Sequence, residues 1–134
     1  MVATCRDTAK FGTITTHIEK HFYRWSDPYP RTVEDLAHGG GGPNDQQRLV
    51  AGMLDRRNLL DLIRTFTLFS ESNKGERIKI VGRYQQFRAV KLAVDRLLKG
   101  KTPRARSGIV WHTQGSGKSL TMMFMVREMY RHAQ

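Results

Sequence analysis

The 134 residues carry 23 Lys and Arg against 12 Asp and Glu, a formal net charge of +11 at pH 7. With 39% apolar and 26% charged residues the composition is that of a folded protein and excludes a disordered polar chain. No apolar run approaches the roughly 20 residues that would span a bilayer, the one cysteine, Cys5, excludes an internal disulfide, and MVATCRDTAK lacks the apolar centre of a signal peptide. A cytoplasmic protein without membrane contact is expected, and the positive charge points to a polyanion partner, nucleotide or nucleic acid.

In chain order, 1–5 is short, apolar and β-leaning, 6–8 is turn material, and FGTITT over 11–16 predicts a second strand. Aromatic-rich HFYRW over 21–25 runs into DPYP, whose prolines end regular structure. These aromatics read as packing surface rather than as a base-stacking platform. Thr32 predicts the N-cap of a helix over 33–37 closed by Gly39. The glycines 39–42 before Pro43 form a flexible loop, not a phosphate site, because no strand feeds them and no lysine follows. Asn44 caps a second predicted helix reaching 54. A third covers 58–63, where Leu59, Leu60, Leu62, Ile63 and Phe66 share a face expected to be buried, and 66–69 turns extended.

A polar turn over 70–76 precedes RIKIV, a predicted strand over 77–81. From 84 to 99 apolar residues fall at Phe87, Val90, Val94, Leu97 and Leu98, the period of an amphipathic helix, which Gly100 ends with Pro103 as breaker. Lys99, Lys101, Arg104 and Arg106 cluster behind it, either a solvated face or a DNA contact. Ile109, Val110 and Trp111 form a continuous apolar run, which predicts a short strand covered on both faces. Helix formers resume at 120–125, and Met122, Met123, Phe124, Met125, Val126 and Met129 nearly encircle that helix, as expected for one enclosed by other elements.

Between that strand and helix, TQGSGKS over 113–119 has the make-up of a phosphate cradle. Gly115 and Gly117 allow positive φ and close approach of backbone N–H groups to an anion. Thr113, Gln114, Gly115, Ser116 and Gly117 would supply those amides. Lys118 brings a point charge for the β- and γ-phosphates, Ser119 a hydroxyl for Mg²⁺, and the helix its positive end. The GxxxxGK(S/T) pattern is met except at its first position, which is His112, read as a packing residue.

Segment RYQQFRAV over 83–90 is similar to one in superfamily 2 helicases and translocases, in which a glutamine reads the adenine edge of ATP. An amide suits that task because it offers both donor and acceptor. By spacing to Ala89, Gln86 is the matching residue, with Gln85 one position early. Taken together, LLDLIRTF over 59–66, IVGRYQQFRAV over 80–90 and IVWHTQGSGKSLTM over 109–122 resemble the restriction (R) subunit of type I restriction–modification enzymes. The WHTQ lead into GSGKS is the most specific part. Residues 2–25, with GTIT and Trp25, resemble the stretch that leaves that subunit's nuclease domain; the likeness is weakest over 27–44.

The resemblance implies an α/β chain: the start of a three-layer RecA-like (P-loop) motor lobe, preceded by a mixed strand and helix connector. Residues 1–26 would end the nuclease domain, 27–76 form a helical connector, and 77–134 open motor lobe 1. It implies ATP and Mg²⁺ as cofactors, and as partners double-stranded DNA with the methylation and specificity subunits. A PD-(D/E)xK nuclease centre would precede residue 1, so Asp7, Asp27 and Asp35 are assigned no catalysis. The acidic Mg²⁺ ligand and arginine finger needed for hydrolysis would follow residue 134. A fragment inactive in both reactions is therefore expected. Two other readings stay open: another superfamily 2 ATPase, and a non-enzymatic DNA-binding module using Arg83, Lys99, Lys101, Arg104 and Arg106.

Overall fold

Two antiparallel hairpins organise the N-terminal part of the chain in the computed structural model, which describes residues 1–37 and 41–133. The chain divides into two units, Met1–Tyr84 and Gln85–Gln134. In the first, β1 (Val2–Cys5) pairs with β2 (Thr8–Phe11), Val2 opposite Phe11 and Cys5 opposite Thr8. Strand β1 is exposed throughout, whereas β2 turns Ala9 and Phe11 inward with the period of two expected of a half-buried strand. The strand predicted over 11–16 is thus displaced to earlier residues. Beyond Gly12 the Thr13 N–H donates to Thr16 Oγ1 at 2.8 Å, and such side chain bonds to the backbone compete with a ladder.

Phe11 and Trp25 centre the core of this unit, edge-on with ring centroids 5.8 Å apart, and Trp25 meets Tyr84 at 6.4 Å. The indole N–H donates to the Asp27 carbonyl at 2.8 Å. Helix α1 (Val33–Leu36) starts at the predicted cap: Thr32 Oγ1 accepts from the Asp35 N–H, and Asp35 Oδ2 accepts from the Thr32 N–H. Its predicted closing residue, Gly39, lies outside the described residues, as does Gly40.

Helix α2 (Asp45–Gly52) packs on β2 and opens with a second reciprocal cap, Asn44 with Gln47, both bonds 2.9 Å. Gly52 ends it where a Cβ would collide with the Asp27 carbonyl. Helix α3 (Arg56–Arg64) is capped by Asp55. Its buried stripe is Asn58, Leu62, Thr65 and Phe66; of the expected face Leu62 and Phe66 are thus buried, while Leu59, Leu60 and Ile63 are exposed. The stripe begins with a polar residue because Asn58 Nδ2 donates to two carbonyls, Tyr29 at 2.6 Å and Gly52 at 2.8 Å.

Strands β3 (Thr67–Glu71) and β4 (Arg77–Val81) form the second hairpin, Thr67 opposite Val81 and Glu71 opposite Arg77. On the outer edge of β4, Thr15 Oγ1 accepts from the Lys79 N–H at 3.0 Å, which covers one of the edge donors. Strand β4, which the sequence groups with the motor segment, is hydrogen-bonded along its whole length to β3.

Helix α4 (Tyr84–Lys99) leads into the second unit and buries Phe87, Val90 and Val94 as its period predicted, and Gln86 besides, while Leu98 is exposed. Pro103 opens the one-turn α5 (Pro103–Arg106) instead of breaking structure, since its missing N–H costs nothing at a first helical position, and Thr102 caps the turn. The strand predicted at Ile109, Val110 and Trp111 does not form: these residues are irregular, with Ile109 92% and Trp111 87% exposed. Among the described residues no strand lies beside them, and an unpaired strand satisfies none of its backbone groups internally. Helix α6 (Lys118–His132) buries Thr121, Phe124 and Glu128 along one stripe; Met122, Met123, Val126 and Met129 are exposed, against the expectation of cover all round. The described residues therefore form a mixed α/β structure with two small antiparallel sheets, and no helix among them is long and apolar enough to cross a membrane.

Candidate functional site: the glycine loop before α6

The loop turns on its two glycines. Gly115 has φ +75° and Gly117 φ +81°, the left-handed region that glycine enters without a steric cost. At Gly115 a Cβ would meet nothing, so the requirement there is conformational alone. At Gly117 a Cβ would also stand 2.6 Å from Gln86 Nε2. Gly117 is the N-cap of α6 and supplies no side-chain bond to the first turn. A 15-residue helix thus begins with its opening amides uncapped by any side chain, no acidic residue in its first turn, and Lys118 as its first residue.

Lys118 Nζ donates to the Thr113 carbonyl at 2.9 Å, folding the ammonium back across the loop, and Ser116 N–H donates to the same carbonyl at 3.3 Å. Thr113, Gln114, Gly115, Lys118 and Ser119 are exposed, and Ser116 and Gly117 half-buried. Ser116 Oγ is buried with no hydrogen-bond partner among the described residues, an orphaned polar atom in the wall of the bend. Positive φ at both glycines, uncapped amides, a lysine and an orphaned hydroxyl are the donors a triphosphate needs, and the residues present fit that group. Ser119, next along the helix, is exposed.

Gln86 joins this loop from α4. It is buried, and its Nε2 donates to the carbonyls of Ser116 and Gly117, 3.2 Å each. Gln85 is exposed. The spacing to Ala89 therefore selects the glutamine that touches the loop. A second link, which the sequence did not announce, runs deeper along the same two helices. Glu128 is 1% exposed, and its Oε1 accepts from Lys91 Nζ at 2.8 Å and Arg131 Nη2 at 3.0 Å, with His132 Nε2 at 3.7 Å. The available signal was a glutamate at the i, i+3, i+7 positions of Thr121 and Phe124, on the face of a Met-rich helix that faces inward.

Two of the acidic residues set aside earlier serve the backbone: Asp27 Oδ1 accepts from the Tyr29 N–H and Asp35 completes the α1 cap. In the basic cluster Lys99 pairs with Asp95 at 2.6 Å, Arg106 Nε donates to the Gly100 carbonyl at 2.7 Å, and Lys101 and Arg104 are exposed. In the first unit the Arg83 guanidinium lies 3.9 Å above the Tyr23 ring. Among the described residues no three His, Cys, Asp or Glu gather as a metal site.

The loop lies within residues 85–134, which match the family model of the SWI2/SNF2 ATPase. A putative type I restriction enzyme endonuclease subunit of Methanocaldococcus jannaschii, MjaIXP, shares 36% identity over 89% of this chain. The chain is a homologue of type I restriction endonuclease subunits. The HindI endonuclease subunit of Haemophilus influenzae shares 40% identity over 60% of the chain, and the putative MjaVIIIP subunit 40% over 58%. The chain spans 12% of the length of MjaIXP and 8% of each of the other two endonuclease subunits. No solved structure matches it significantly.

Proposed function

We propose that this chain provides the ATP-binding loop of a type I restriction endonuclease subunit. The observation that carries the reading is the bend at 115–117, two left-handed glycines ahead of an uncapped helix start that carries Lys118. Amides of 113–117 would cradle the phosphates, Lys118 would leave the Thr113 carbonyl for the β- and γ-phosphates, and Ser119 would hold Mg²⁺. Gln86, whose amide now donates to the Ser116 and Gly117 carbonyls, would have to release them to meet the adenine edge. The bound Mg²⁺ nucleotide would supply an activated phosphoryl group, and the function proposed for the described residues is to bind it.

The reading includes a three-layer RecA-like lobe opening over 77–134, preceded by 1–26 as the end of a nuclease domain and 27–76 as connector; the SWI2/SNF2 match over 85–134 supports the lobe alone. The homology to endonuclease subunits supports a cytoplasmic complex with double-stranded DNA and with methylation and specificity subunits. Titration with a fluorescent ATP analogue tests the binding reading. Saturable, Mg²⁺-dependent binding is expected, weakened at least ~10-fold, or ~1.4 kcal/mol, by Lys118→Ala. Equal affinity in the variant would overturn it, and Lys118-dependent phosphate release by the chain alone would overturn the restriction to binding.

A further inference from the structure

We propose that Glu128 is a positioning residue that sets the geometry of the 113–119 loop. The inference rests on the nucleotide-binding reading only for its consequence on affinity; the positional claim stands on the contacts. Two polar attachments among the described residues join α6 to α4. One is at the N-terminal end of α6, where Gln86 Nε2 holds the Ser116 and Gly117 carbonyls. The other is Glu128, ten residues beyond Lys118 and so ~15 Å along the axis at 1.5 Å per residue, where the carboxylate takes the Lys91 ammonium at 2.8 Å. A helix pinned at a single end pivots about that point. Pinned at two, it has a fixed inclination, and the direction of its first amides is fixed with it.

The chemistry of the second attachment adds register. A carboxylate 1% exposed is tolerated only when paired, and Glu128 Oε1 has its pairs, Lys91 from α4 and Arg131 from its own helix. Leucine or methionine at 128 would fill the same stripe beside Thr121 and Phe124 but would accept several offsets between the helices. The ion pair favours one, since a slide of one turn, about 5.4 Å, takes Lys91 out of reach and leaves the buried carboxylate only the Arg131 of its own helix. Lys91 is itself steadied 5.8 Å above the Phe87 ring, next in sequence to Gln86, so the two attachments share one short stretch of α4. A charge pair remote from the nucleotide thereby holds the groups that would touch it.

Amide hydrogen exchange on the 134-residue chain is the test, with Glu128→Gln, Lys91→Met and the double variant. Faster exchange of the 113–119 amides, by about tenfold, is expected in each single variant, with little further change in the double because both remove one linkage. Loop exchange at the wild-type rate while 121–131 opens would overturn the proposal, as would fully additive effects. Should Glu128→Gln fail to fold, Lys91→Met decides alone by the same criterion. In parallel, affinity for the fluorescent ATP analogue should fall in each variant at a temperature well below its unfolding transition; undiminished affinity beside a loosened loop would overturn the consequence for binding. A wild-type chain that binds no nucleotide would remove the proposed function, and the exchange rates would still judge the positioning role.

Discussion

Gln86 Nε2 lies 3.2 Å from the carbonyl oxygen of Gly117, and that contact occupies the space where a side chain at 117 would begin. The amide and the missing Cβ are complementary: helix α4 approaches the loop as closely as it does because position 117 is glycine. Burial of the glutamine follows from the same approach.

Gly117→Ala is expected to damage the site twice. The φ of +81° disfavours any L side chain by ~1–2 kcal/mol, and the new methyl would push against Gln86 Nε2 at 2.6 Å. Affinity for the ATP analogue should drop more than in Gly115→Ala, where the added carbon meets nothing. Equal losses in the two variants would show that the contact with Gln86 is immaterial.

Asn58 holds the end of α2 and the 29–30 segment through two carbonyls. Asn58→Asp keeps the shape and loses both donors, leaving acceptors opposed to a carboxylate. It should destabilise the first unit by about 2 kcal/mol or more, at ~1–3 kcal/mol for each buried group left unpaired. Chemical denaturation followed by Trp25 emission would measure the change, and a loss below that of Asn58→Ala would contradict the role given to the two bonds.

Asn44→Ala removes the side chain that accepts from the Gln47 N–H and frees the returning Gln47 bond. About 1 kcal/mol of stability should be lost, with most of it kept in Asn44→Asp, which caps equally well. Thermal unfolding of the three proteins side by side distinguishes capping from the mere presence of a polar residue.

Asp35 is held below the usual carboxylate range, first by the hydrogen bond from the Thr32 N–H and then by the Thr32 hydroxyl. Because its folded-state value is depressed, the stabilisation is complete above the ordinary value of 3.8 and disappears as pH falls through the lower, folded-state value. The Thr32 amide resonance should follow this titration, and Thr32→Ala should move its midpoint upward. A midpoint unaffected by that substitution would refute the hydroxyl's share and leave the Thr32 N–H as the cause.

Local signals in the sequence were readable where one residue type has one physical use. Thr32 and Asn44 cap the helices they were expected to cap, RIKIV is β4 over its predicted span, the period from 84 to 99 is α4, and both loop glycines adopt positive φ. Errors arose where partners decide. Ile109 to Trp111 have strand composition, yet a strand is a relation between chains and no neighbour lies beside them among the described residues. The leucines of α3 suggested a face that Asn58 displaced, because two carbonyl acceptors outweigh apolar period in choosing what turns inward. Glu128 was passed over because charge on a helix is ordinarily solvated, and only the position of Lys91 shows otherwise.

The two tryptophans of the chain occupy opposite surroundings, Trp25 2% exposed among aromatic rings and Trp111 87% exposed two residues before the 113–119 loop. They form a pair of built-in optical probes. Iodide should quench the red-shifted emission of Trp111 and spare the blue-shifted emission of Trp25, so that one spectrum reports separately on events at the loop and on the integrity of the N-terminal core.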